Sequence, residues 1–106
     1  MKTKIDEKIG LVTNKLVDYM SDRDPYEFND CYNSKEEAFN EFYSLLGTRK
    51  GINNILYEIS EDLSLAEEYL KKDTDEETKI MINRAYQLHK DIYELKKEIS
   101  VQGIIR

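Results

Sequence analysis

His89 is the only histidine in the chain and the one side chain whose ordinary pKa lies near neutrality, which makes it the first candidate for a general base or metal ligand. The residue three positions before it is Tyr86, so the Glu-x-x-His pattern by which di-iron bundles hold their metals is missing. His89 follows Leu88, next to the apolar stripe, and reads as a histidine at the edge of a helical bundle. Cys31, the single cysteine, would need a neighbouring base to lower its pKa before it could act as a nucleophile. Its neighbours are Asp30, Tyr32 and Asn33, and nearby acids raise a thiol pKa rather than lower it. A lone cysteine also cannot close an internal disulfide, which fits a reducing, cytoplasmic setting.

Carboxylates at Asp22, Asp24, Glu27 and Asp30 raise the possibility of a calcium loop. An EF-hand loop begun at Asp22 would place Glu27 where glycine is required and Asn33 where the bidentate glutamate is required. Begun at Asp73, it meets Thr78 and Arg84 at those positions. Both frames fail. The Gly47-Thr48-Arg49-Lys50-Gly51 run sits at a helix start, where backbone N–H groups can hold an anion, but it lacks the phosphate-loop pattern. No catalytic residue, no metal ligand and no cofactor site is therefore predicted, and the chain reads as a protein that is not an enzyme.

Charge is the stronger signal. Residues 18–41 carry net −6 and residues 58–77 carry net −7, while the whole chain is −6. Helix dipoles favour the acids near positions 34 and 74, but not all the others. A net-negative chain is poorly suited to displacing counterions from phosphates or docking on anionic lipid. The first acidic block is also aromatic, so Asp22, Asp24, Tyr26, Glu27, Phe28, Asp30 and Tyr32 form the candidate partner-binding set, with rings supplying contact area and carboxylates steering the encounter. The competing reading folds Tyr26, Phe28 and Tyr32 over the end of the bundle.

The expected function is a small acidic protein–protein interaction module: an adaptor, an assembly factor or an inhibitor of a larger machine. Its expected partner is a protein with a basic surface, and nucleic acid and membrane are expected to be absent. One alternative is a nucleic-acid-binding regulator that uses the 48–54 turn, with Arg49, Lys50, Asn53 and Asn54 reaching bases or phosphates. Glu58, Glu61 and Asp62 on the same helix oppose it. A second alternative is an acidic nucleic-acid mimic that blocks a host enzyme. Residues with AT-rich codons number 44 of 106, which points to an AT-rich bacterial genome or to a phage or mobile element within one.

The elements that must position these residues are all helices. Ile5, Ile9, Val12, Leu16 and Tyr19 follow one another at spacings of four and three, as do Ile52 through Leu70 and Met81 through Ile99. Ser34 with Glu37, and Thr74 with Glu77, form capping boxes. Asp24 and Pro25 end the first helix, and residues 22–33 read as the longest irregular stretch. Gly47 is expected as a left-handed C-cap and Thr48 as the next N-cap, so the chain breaks there rather than running on through Gly51. Gly103 reads as a stop after which Ile104 and Ile105 fold back.

The prediction is a single all-α domain, 1–106, with helices at about 3–21, 34–46, 49–72 and 75–101. It is an antiparallel helical bundle of three or four helices with coiled-coil-like heptad packing and a long C-terminal hairpin. The last helix, about 40 Å long, outreaches the first two. One end of the hairpin is then uncovered, which favours a homodimer or other homo-oligomer. No apolar run approaches the ~18 residues of a membrane span.

Overall fold

The computed structural model describes residues 4–72 and 75–102, the side chains of residue 72 and of residues 100–102 excepted. Its helices are α1 (Lys4–Arg23), α2 (Pro25–Cys31), α3 (Lys35–Leu46), α4 (Arg49–Lys72) and α5 (Glu76–Gln102). The chain is all-helical among the described residues, and the core lies between α1, α3, α4 and α5. None of these helices is long and apolar enough to cross a membrane.

The caps explain the boundaries. Ser34 Oγ accepts the Glu37 N–H at 3.2 Å, as a capping box requires. Its reciprocal arm lands one residue early, because Glu37 Oε2 accepts from the Asn33 N–H at 3.4 Å. At the start of α5 the observed cap is Asp75, whose oxygens accept the Glu77 N–H and the Thr78 hydroxyl. The expected capping residue Thr74 lies outside the described residues, as do Gly103, Ile104 and Ile105.

Residues 22–33 are mostly helical, with Asp24, Tyr32 and Asn33 outside the helices. Arg23 ends α1, and Asp24 then caps α2 by accepting the Glu27 N–H at 3.0 Å. Pro25 occupies the first turn, where its missing N–H costs nothing and its fixed φ suits a helix. Phe28 is buried, which anchors this short helix to the core.

Between α3 and α4 the chain turns in two residues. The Gly47 and Thr48 N–H groups donate to the Ser44 and Leu45 carbonyls, tightening the last turn of α3. Gly47 sits at φ −85°, in the right-handed region, so the expected left-handed cap is absent. Thr48 does cap α4: its Oγ1 accepts the Gly51 N–H at 3.0 Å. The glycine this turn needs is Gly51. A β-carbon there would stand 2.1 Å from the Leu45 carbonyl oxygen, a backbone atom that cannot move aside cheaply.

Register between the first and last helices is written in ion pairs. Lys8 meets Glu98, Lys15 meets Asp91, and Asp22 meets Arg84, so each seven-residue step forward in α1 matches one backward in α5. The two helices are antiparallel. Each exposed pair contributes at most about 1 kcal/mol, so the ladder marks the register more than it stabilises it. The hairpin of α4 and α5 is antiparallel too, with Ser60 beside His89 and Glu67 beside Tyr86. The buried stripes follow the sequence pattern with shifts: Ile82 is buried where Met81 was expected, and Ile55 joins α4. In α1, which touches both α3 and α5, the stripe widens to include Val17, Met20 and Thr13. The Thr13 hydroxyl is satisfied by the Ile9 carbonyl at 2.6 Å.

Two glycine substitutions separate close approach from helix propensity. Gly51→Ala is expected to destabilise the fold by about 2 kcal/mol through its clash with Leu45, lowering Tm by about 10 °C. At Gly10 the nearest atom to an added β-carbon is 4.0 Å away, so Gly10→Ala is expected to stabilise by about 0.5–1 kcal/mol. Thermal melts of both variants by circular dichroism check the pair.

Candidate functional site

Of the seven residues singled out by the sequence, few form one outward surface. Phe28 and Tyr32 turn inward, their rings 5.2 Å apart, and Tyr32 meets Phe42 edge-on at 5.7 Å. Asp24 is occupied as the α2 cap, Asp22 is paired with Arg84, and Glu27 with Arg23. Tyr26, 85% exposed, and Asp30 face solvent. The 22–32 segment therefore combines an inward aromatic wedge with an acidic edge of which Asp22 and Glu27 are ion-paired.

His89 is half-buried beside Ser60, with Nε2 and Oγ 3.2 Å apart across the α4–α5 seam. Both residues lie inside helices, whose backbone N–H groups are spent on i−4 carbonyls rather than offered to a ligand beside the pair. Cys31 is exposed at the end of α2. Among the described residues, no three His, Cys, Asp or Glu side chains converge as a metal site would require.

Several tyrosines bond to carboxylates. Tyr19 donates to Asp62 at 3.2 Å, Tyr86 donates to Glu67, and Tyr57 and Tyr32 are held by Glu61 and Glu41. Burial first, and then the Asp62 charge, pushes the Tyr19 hydroxyl up to about 12. Burial and Glu41 raise Tyr32 as well. Arg23 also bonds Asp62; burial works against its charge, and Asp62 outweighs that effect.

The Tyr19–Arg23–Asp62 group stands at the mouth of a groove of about 490 Å³. α1 stops at Arg23, roughly level with Arg84 of α5, so α5 projects beyond it by about 12 Å. The molecule is accordingly long, at 47 × 30 × 19 Å, with a radius of gyration of 14.4 Å. About 13 Å would suit a compact chain of this length. The projecting tip bears the groove, floored by Leu63, Ala66, Met81 and Ile82. Leu65 and Tyr69 stand on its wall at 67% and 48% exposure. Its charged wall residues are Asp22, Asp62, Asp75 and Glu77 against Arg23. Unequal helix lengths signal an uncovered end in the sequence, but Leu65 and Tyr69 are not singled out there, and Glu77 appears only as a capping residue.

Compared with protein-family models, with curated proteins and with solved structures, the chain matches none.

Tyr19 makes the fold sensitive to alkali. Its proton is held to about 12 in the folded state and to about 10 in the unfolded chain, so its contribution is complete below pH 10 and is lost as pH climbs through 12. Urea unfolding at pH 8, 10 and 11.5 is expected to show stability falling mainly in the last interval. Tyr19→Phe should be less stable at pH 8 and show a shallower fall; an unchanged slope would remove Tyr19 as the cause.

Proposed function

We propose that this chain is a small acidic protein–protein interaction module, acting as an adaptor, an assembly factor or an inhibitor of a larger machine. One observation carries the reading: exposed Leu65 and Tyr69 border an apolar groove whose charged wall is four carboxylates to one arginine. Apolar surface framed by charge is the pattern of a docking site rather than of a plain solvated face. The partner is a protein with a basic surface, met in a reducing cytoplasm where the exposed Cys31 stays a thiol. The seven-residue ladder between α1 and α5 supports coiled-coil-like packing of a bundle that serves as a rigid carrier for its tip. Charge argues against self-association through this tip, since residues 58–77 carry −7 in each copy.

Affinity capture from a nuclease-treated lysate tests the reading, with Leu65→Glu/Tyr69→Glu as a folded control bait. Both positions are exposed, so the control keeps its circular dichroism. The expected outcome is a stoichiometric protein that wild type retains at low salt, releases as salt rises, and that the control fails to hold. Return of the bait alone overturns the proposal. In parallel, the chain should show negligible affinity for duplex DNA at low salt, where electrostatic binding is strongest.

A further inference from the structure

The ladder between α1 and α5 has a rung with nothing opposite it. On α5 the rungs fall at Glu98, Asp91 and Arg84, and one further seven-residue step arrives at Glu77. The residue that would answer it on a longer α1 is Asn29, but the chain has already left that axis at Pro25 and entered α2. Glu77 is exposed and lines the groove, with no ion pair to a cation among the described residues. Beside it, Ala66, Met81 and Ile82 form the apolar floor that a longer α1 would have covered.

We infer that the groove is filled by an amphipathic helix of a partner protein, lying where α1 would have continued, with a lysine or arginine set against Glu77. This rests on the interaction reading above and names the kind of partner. The tip offers about eight residues of α5 beyond Arg84, or about 12 Å, so some two to three turns of the visiting helix are engaged. Its apolar residues recur at helical spacing to meet the floor, as in other helix-in-groove recognition. A second copy of this chain is a poor occupant because both tips are acidic, and an anionic membrane surface is disfavoured for the same reason.

The probe is a synthetic fourteen-residue peptide of leucine and lysine at helical spacing, titrated into the isotopically labelled full chain. A leucine–glutamate peptide of the same pattern and a lysine homopolymer serve as comparisons. Shifts clustered on Ala66, Tyr69, Glu77, Met81 and Ile82, with the leucine–lysine peptide binding tightest, are the expected result. Glu77→Gln should weaken its binding roughly fivefold, a loss of about 1 kcal/mol. Glu76→Gln, which alters a neighbour paired with Lys79 outside the groove, should leave it unchanged. Equal binding of the lysine homopolymer, shifts elsewhere on the molecule, or equal effects of the two glutamate variants would each overturn the inference. Lysate capture that depends on Leu65 and Tyr69 but is indifferent to Glu77→Gln would overturn the basic helix alone and leave the interaction reading standing. Loss of both dependences would remove both.

Discussion

Pro25 has no amide hydrogen and denies helical geometry to the residue before it, and the arrangement of the tip follows from that constraint. α1 ends at Arg23, Asp24 takes a non-helical conformation at φ −150° and ψ 88°, and α2 begins at Pro25. That break carries Phe28 and Tyr32 towards Phe42 of α3, so the aromatic side chains cover one part of the bundle. The far end of the α4–α5 hairpin receives no such cover. Had α1 continued for two more turns, it would have occupied the place where the groove now opens.

The division between what the sequence reveals and what it conceals follows the reach of each interaction. Helix boundaries depend on neighbours a few residues apart, and Ser34, Thr48 and the leucine stripes place α1, α3, α4 and α5 within about two residues. The same local chemistry was present for α2 in Asp24, Pro25 and Glu27, but the pattern was obscured by the proline's stronger signal as a terminator. Gly47 and Gly51 look alike in sequence. Only the position of the Leu45 carbonyl, set by how two helices cross, distinguishes the replaceable glycine from the required one. The 22–32 segment shows a similar limit, because composition joins Tyr26 with Phe28, whereas the helical turn separates them into solvent and core.

Carboxylates on this surface are satisfied by more than lysine. Tyrosine hydroxyls take Asp62, Glu67, Glu61 and Glu41, and so the acidic blocks are less bare than their net charge suggests. A neutral donor satisfies a carboxylate without cancelling its charge, as Tyr86 does for Glu67, whereas Asp62 is also paired with Arg23. The α1–α5 ladder does the opposite, neutralising each acid with a lysine or arginine along the body of the molecule. At the groove, Asp22 and Asp62 are paired with Arg84 and Arg23, which leaves Asp75 and Glu77 as its carboxylates without an ion pair among the described residues.

Lys8 and Glu98 bring the beginning of α1 alongside the end of α5. Both ends of the described chain therefore lie together, at the pole opposite the groove and roughly 30 Å from its middle along α5. A label or second domain joined at either end would be attached at that pole, away from the tip. In mechanical terms the domain is a post whose base can be anchored from both termini at once while its head stays free.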